Sequence, residues 1–303
     1  MIPAFNRRRF LKRAIDSVLA QTGVAFHLTV VDDGSTDDLS ELRKKVEGEG
    51  HRWLSRRTNG GPAAARNDGA ASTDTAWIAF LDSDDEWGPT KLERQWNWHR
   101  DHPRARLSQV RETWIRNGAA VNKPARWEPE EGDLFADSVE RCAIGPSCVM
   151  MRRDLWEESG GFDERYRVCE DYELWLRVAR SDAVGLVPGA ALVRKHGGHP
   201  DQLSTTTPAL DRYRVVALLE CWLRGGLSEE RREAVEDGIR RKAGILAQGA
   251  SKRGLEERAA FYGELAGTDL KGLGAGLDPV LHRARELADM GNIVPSSPRG
   301  VIC

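Results

Sequence analysis

Two rhythms of apolar residues alternate along the chain as far as residue 207. Phe10, Leu11, Ala14, Ile15, Val18 and Leu19 recur at the spacing of one helical face and predict a helix over 8–21. The run Phe26–Val31 predicts a strand, Leu39–Val46 a helix that Ser35, Thr36 or Asp37 would cap, and the stretch Trp53–Arg56 a short third strand. A turn at Asn59-Gly60-Gly61-Pro62 leads into a helix over Ala63–Ala71. Trp77–Leu81 is then an unbroken apolar run, the mark of a strand buried on both faces. Met1–Asn6 reads as the tail of a strand and a turn. A first strand normally has several residues before such a point, so the start is expected to be truncated.

Beyond this the rhythm loosens. Lys91–Asp101 is helical, Arg106–Arg116 holds extended segments, and Asn122–Gly132 is a loop rich in Pro, Glu and Trp. Cys148–Arg152 predicts a strand, Leu155–Ser159 a helical turn and Gly160–Asp163 a tight turn. Glu170–Arg180 predicts a helix with Leu174, Trp175 and Val178 on its apolar face. After Pro208 come helical pieces broken near Gly225-Gly226 and Gly272–Gly276; Arg212–Arg224, with Tyr213, Val216, Ala217 and Leu223, reads as amphipathic. Strands alternating with helices imply right-handed crossovers and an α/β fold with a mostly parallel sheet, whose carboxyl ends gather on one edge.

Composition narrows the choice. A chain of 303 residues, 40% hydrophobic, can build a sizeable core. Its formal charge of -2 argues against a nucleic-acid partner. The five cysteines Cys142, Cys148, Cys169, Cys221 and Cys303 include no C-x-x-C pair and read as reduced thiols of a cytoplasmic protein. No apolar run approaches the roughly 20 residues that span a bilayer, so association with a membrane would be peripheral, at its inner face.

Candidate chemistry lies where strands end. The second strand runs into Asp32-Asp33-Gly34-Ser35, and the buried run Trp77–Leu81 into Asp82-Ser83-Asp84-Asp85-Glu86. Ligands of open α/β sheets bind at such carboxyl ends. Acids this close repel one another unless a cation joins them, and a hard divalent ion with oxygen ligands suits them. Glu170 and Asp171 open a helix, where negative charge is favoured.

Five pieces in order, Ile2–Asn6, Val31–Ser35, Ala65-Arg66-Asn67, Asp82–Asp85 and Glu170–Trp175, resemble the successive motifs of family 2 glycosyltransferases with the GT-A fold. The resemblance implies a GT-A (Rossmann-like) domain over 1–207, with a nucleotide-binding half 1–100 and an acceptor-side half 101–207. Residues 208–303 form a helical extension with no counterpart, a candidate oligomer contact. It further implies that Asp33 accepts a hydrogen bond from the nucleotide base, that Pro3 flanks the base and that Arg66 supports it. Asp82, with Ser83, would contact the ribose or a metal-bound water, and Asp84 would bind Mn2+ or Mg2+ bridging the phosphates of a UDP-sugar. His199, in a late loop over the diphosphate, would ligate the metal or donate to phosphate, and His196 could substitute for it. Asp171 would be the general base of an inverting transfer, with Glu170 orienting the acceptor, which could be a saccharide, a lipid-linked saccharide, a peptide or a small metabolite. Trp87 and Trp175 read as packing residues and Trp127 as an acceptor-side candidate.

Three rivals fare worse on the residues. A nucleotidylyltransferase would show a glycine-rich basic loop after the first strand, whereas Asn6-Arg7-Arg8-Arg9 is basic without glycine. A glycosidase needs two carboxylates but no base-binding Asp33. A non-catalytic Ca2+ module would need the spaced acids and central Gly that Asp82–Trp87 lacks.

Overall fold

The alternation is realised as β1 (Ile2–Ala4), α1 (Arg8–Leu19), β2 (Thr29–Asp32), α2 (Ser40–Gly48), β3 (Arg52–Ser55), α3 (Gly61–Ala71) and β4 (Trp77–Ile78). The computed structural model describes residues 1–199, 202, 206–273 and 276–290, and the chain divides into two compact units, Met1–Gln202 and Leu203–Cys303. In the first unit β1, β2 and β3 pair in parallel in that order, with Pro3 opposite Val31. Ile2, Pro3 and Ala4 are all buried, as a strand covered on both faces requires.

The run Trp77–Leu81 changes partners partway and is therefore not one strand. Trp77 and Ile78 pair with a later antiparallel strand, whereas Leu81 N–H donates to Met1 O at 3.0 Å and the Met1 amino group donates to Ala79 O at 2.6 Å. Burial pushes that amino group down to about 5. The α2 cap also differs from expectation. Asp38 Oδ1 accepts the Ser40 N–H, while Ser35 Oγ and Asp37 are engaged by the backbone N–H groups of Asn6 and Arg8.

The rest of the unit comprises β5 (Glu86–Trp87), α4 (Lys91–Asp101), β6 (Leu107–Gln109), β7 (Glu112–Arg116), β8 (Ala119–Val121), α5 (Phe135–Glu140), β9 (Val149–Arg152), α6 (Arg153–Ser159), α7 (Glu170–Val178), β10 (Gly185–Leu186) and β11 (Val193–Gly197). They form the sheets β10-β6-β9-β4 and β5-β11-β7-β8. Because β9 runs antiparallel to both β4 and β6 while β10–β6 and β11–β7 are parallel, the later sheets are mixed and only the first is wholly parallel. Two apolar clusters hold the unit. One gathers Leu11, Ile15, Val30, Leu42 and Trp87; the other gathers Ala63, Phe80, Val149, Leu174 and Trp175. Trp87 and Trp175 are thus packing residues.

Lys91 is fully buried beneath this core. Its Nζ donates to Val149 O at 2.9 Å and lies 3.9 Å from the centre of the Trp87 ring. Burial brings its pKa from 10.5 down to about 7. Between those values the unfolded chain holds a proton that the folded chain has released, so stability rises with pH across the window, and below it the full cost of burying the charge is present. Lys91→Met is expected to raise Tm most below pH 7 and to flatten the rise above it. Thermal denaturation of both proteins across this range checks the expectation; an unchanged pH slope in the variant would refute it.

In the second unit, helix Asp211–Leu223 buries Tyr213, Val215, Val216, Ala217, Leu218 and Leu219. These residues surround the helix, so it is central to its own unit, packed by helices Glu229–Ser251 and Leu277–Asp289, instead of presenting one apolar stripe. Ser228 caps the long helix by accepting the Arg231 N–H. Cys303 and part of the predicted break at Gly272–Gly276 lie outside the described residues.

Candidate active site

The loops that follow β1 and β2 are tied to each other. Asn6, at φ 50°, accepts the Thr36 N–H at 2.8 Å, and its own N–H donates to Ser35 Oγ at 3.0 Å. Asp33, 3% exposed, sits just behind them. Its carboxylate accepts the N–H groups of Gly60 at 2.9 Å and Gly61 at 2.8 Å and ion-pairs with Arg56 Nε at 2.8 Å. Gly61 is at φ +90°, which turns its N–H toward the carboxylate and is open to glycine at little cost. Burial raises the Asp33 carboxyl above its ordinary range against the pull of those donors. A carboxylate offers about four lone-pair positions, and the two backbone donors leave room for a ligand N–H.

The acids after Leu81 take separate partners. Asp84 Oδ2 meets His199 Nε2 at 2.8 Å and Arg7 Nη1 at 3.2 Å, and Arg13 Nη2 donates to Asp84 O at 2.7 Å. The His199 ring rests on Phe10, centres 5.0 Å apart. The sequence-predicted pair Asp84 and His199 is therefore brought together, although Pro200, Asp201, Leu203 and Ser204 of the predicted loop lie outside the described residues. His196 turns elsewhere, its Nε2 to Glu86 Oε1 at 2.5 Å. Burial lowers its pKa. Asp85, 2% exposed, accepts from Ser147 Oγ at 2.7 Å and from the His196 N–H at 2.9 Å, and burial raises its carboxyl strongly. Ser83 is half-buried between Asp82 and Asp84.

Arg66 joins the two halves of the site. Buried in α3, it reaches Asp82 Oδ1 at 2.7 Å through Nη2 and Glu170 Oε1 at 2.6 Å through Nη1, with its guanidinium 5.0 Å from the centre of the Phe162 ring. Its charge is held well above the ordinary range by Asp82 and Glu170 in spite of burial. Burial raises Glu170 to about 7, Arg66 opposing and Asp171 adding to the shift. Next to Arg66, Asn67 reads the Phe162 backbone in both directions: its amide donates to Phe162 O at 2.9 Å and accepts the Phe162 N–H at 3.0 Å. Gly161 beneath it is at φ +70°, and a Cβ there would come within 2.9 Å of both Asn67 and Trp156. These contacts fix the approach to α7, which starts after Cys169 at φ 62°.

Asp171 Oδ1 accepts the Tyr172 N–H at 2.7 Å, and Oδ2 takes the Cys142 thiol at 3.2 Å. Cys142 opens a segment that sequence reasoning missed. Ser147, at its far end, accepts the Asp82 N–H at 3.1 Å while donating to Asp85, and Cys148 Sγ donates to Glu112 Oε2 at 3.3 Å. One short loop thus touches Asp171, the acid cluster and Glu112. Arg7, Arg13 and Arg56, which meet the acids, were missed for the same reason. Nothing in local spacing shows which acid an arginine will face.

A parallel sheet of three strands with acids gathered at its carboxyl edge, extended by mixed sheets that carry a second acidic pair, is the GT-A architecture of enzymes that handle nucleotide-sugars. The family model described as Glycosyl transferase family 2 matches residues 1–159, and the chain belongs to this family. It is 33% identical over 185 residues, 61% of its length, to an uncharacterized glycosyltransferase of Rickettsia felis, and spans 30% of that relative. A putative teichuronic acid biosynthesis glycosyltransferase, TuaG of Bacillus subtilis, is 28% identical over 59% of the chain and 70% of its own length. Among solved structures, S. aureus TarS 1-349 in complex with UDP-GlcNAc superposes with a TM-score of 0.73 at 17% identity, over 94% of this chain and 86% of that one. Among the described residues no helix is long and apolar enough to cross a membrane.

Proposed function

We propose that the protein transfers a sugar from a UDP-sugar to an acceptor hydroxyl with inversion, aided by Mn2+ or Mg2+, with Asp171 as the base. The observation that carries this reading is the Arg66 bridge between Asp82 and Glu170, which draws the donor-side acids and the Glu170-Asp171 pair into one site. TarS has been solved with UDP and with UDP-GlcNAc, which supports a uridine donor. Asp33 has a lone pair for the base, beside Pro3 on β1, and Asp82 and Ser83 adjoin the ribose and phosphates.

The donor set fits a hard divalent ion. Asp84 Oδ2 and His199 Nε2 converge at 2.8 Å, and an ion bound between them would take the place of the Arg7 guanidinium on the same oxygen. Carboxylate oxygen suits both Mg2+ and Mn2+, and imidazole adds a preference for the transition metal. Held by Asp84 and His199, the ion would neutralise charge on the departing diphosphate. The remaining steps belong to the chain. Asp171 removes the acceptor proton, the acceptor oxygen bonds to the anomeric carbon, and the bond from that carbon to the β-phosphate oxygen breaks with its electron pair going to UDP. Arg7 and Arg13, near the acids, face the leaving group. Glu170, held by Arg66, orients the acceptor.

Calorimetric titration of UDP, GDP, dTDP and CMP with and without Mn2+ tests the donor assignment. UDP is expected to bind most tightly and only weakly without metal, and Asp84→Asn to abolish the metal effect. If that variant keeps both its affinity and its metal dependence, Asp84 is not the ligand.

A further inference from the structure

The sheet β5-β11-β7-β8 has a polar face that the transfer reaction as described leaves unused. Alternation puts Glu112, Trp114 and Arg116 of β7 on one side, and the parallel register Lys195 to Trp114 sets Lys195 of β11 beside them. Glu112 organises this face. Its Oε1 accepts the Trp114 indole N–H at 2.6 Å and its Oε2 the Cys148 thiol. Burial alone would raise the Glu112 carboxyl, but the Lys195 ammonium and the hydrogen bonds bring it below its ordinary range, and Glu112 in turn keeps Lys195 charged far above its own. Both groups border Gly145, where an added Cβ would lie 3.4 Å from Glu112 Oε2 and 3.7 Å from Lys195 Nζ. Gly145 belongs to the loop whose other end, Cys142, touches Asp171.

Past β8 the chain brings in a second lysine. The Lys123 side chain is only 5% exposed, and its Nζ, 3.5 Å from Glu128 Oε2, makes no hydrogen bond among the described residues. An ammonium has three donors, and a buried one with a single loose partner is incompletely satisfied. Trp127, from the turn Ala125–Trp127, brings its ring to 6.1 Å from Trp114, the planes 49° apart. Arg116 lies over Trp114 and Arg126 over Trp127, so a cation flanks each indole, while Asp85 and Asp82 join Glu112 in acting on Lys195. Indole faces pack against the C–H surface of a sugar ring, and buried ammonium groups make charge-assisted hydrogen bonds to anions.

We propose that this face is the acceptor subsite and that it takes a saccharide bearing a carboxylate or phosphate, with Trp114 and Trp127 against the ring and Lys123 and Lys195 on the anion. The proposal rests on the reading that Asp171 faces the acceptor. It is tested by calorimetric titration of the full chain, in the presence of UDP and Mn2+, with three probes: a short oligogalacturonate, a polyol-phosphate oligomer and neutral maltohexaose. One of the anionic probes is expected to bind at least about tenfold more tightly than maltohexaose and to weaken with added salt, and which one binds identifies the anion. Lys123→Gln keeps most of the side chain's bulk without its buried charge, and Trp127→Ala truncates a half-buried ring, so both should fold. Each is expected to weaken that binding about tenfold while leaving UDP affinity unchanged, and Lys195→Met at least as much. Binding of neither anion, equal binding of the neutral probe, or unchanged binding in all three variants would overturn the proposal. The titration reads binding and not transfer, so Asp171→Asn should bind the probe as the wild type does. A failure of the base assignment would leave this result intact.

Discussion

Replacing Asp171 with asparagine is expected to lower kcat by about 10²–10⁴-fold, the usual contribution of a general base, with UDP affinity almost unaltered. Asparagine is nearly isosteric, and its amide oxygen can still accept the Tyr172 N–H that Asp171 Oδ1 accepts at 2.7 Å, so α7 should begin as before. What is lost is the oxygen that takes the acceptor proton. Glu170→Gln should act differently, raising the acceptor KM more than it lowers kcat, because Glu170 is committed to Arg66 at 2.6 Å. The measurements are steady-state transfer rates, UDP titration, and the anomeric configuration of the product by NMR. Undiminished transfer by the Asp171→Asn enzyme, or retention at the anomeric carbon, would remove Asp171 from this role.

The largest expected effect on stability comes from Arg66→Met. It leaves Glu170, 6% exposed, and the partly buried Asp82 without their common partner. Breaking a buried ion pair from one side typically costs about 3–5 kcal/mol, since the remaining charge stays buried and uncompensated. Lysine should not rescue the site, because a single ammonium cannot span both carboxylates as the guanidinium fork does. The loss should also depend on pH. Glu170 already has its pKa raised from 4.5 to about 7 in the folded protein, so its contribution is fully present below 4.5 and is lost as pH rises through 7. Without Arg66 the folded carboxyl would move higher still, so the deficit of the variant should shrink in acid, where Glu170 is protonated in both proteins. Urea denaturation at pH 5 and at pH 8 reads this directly. A deficit that is small, or that does not change with pH, would mean that the bridge carries little of the site's stability.

Pattern alone carried much of the first hundred residues. The helix expected over 8–21 from its apolar spacing is found over 8–19, the helix read over 91–101 is found there, and the carboxyl-edge positions of Asp33 and Asp84 followed from where the apolar runs end. The resemblance to family 2 glycosyltransferases rested on the same short pieces, and the matching of the family model over 1–159 agrees with it. What failed were the elements that depend on distant partners. β5, β8, β10 and β11 are two to five residues long and carry too few alternations to reveal a period, and the middle of β11 is the polar run Arg194-Lys195-His196. The cap of α2 was misread because contacts from the loop after β1 engage Ser35 and Asp37, and the cap position falls on Leu39, with no side-chain cap.

The sequence by itself determined the layered α/β order of the first unit, the helical character of the second, and which acids sit where strands end or helices begin. These properties are local: periodicity selects helix or strand, and a change from apolar to acidic residues marks the end of burial. Only the tertiary structure decided the partners. That Arg66 spans Asp82 and Glu170, that His199 and not His196 meets Asp84, and that Lys195 faces Glu112 below Trp114 depend on crossings between strands far apart in the chain. Charge attraction acts through space and hardly at all along sequence, so the pairing of a buried ion is settled by packing.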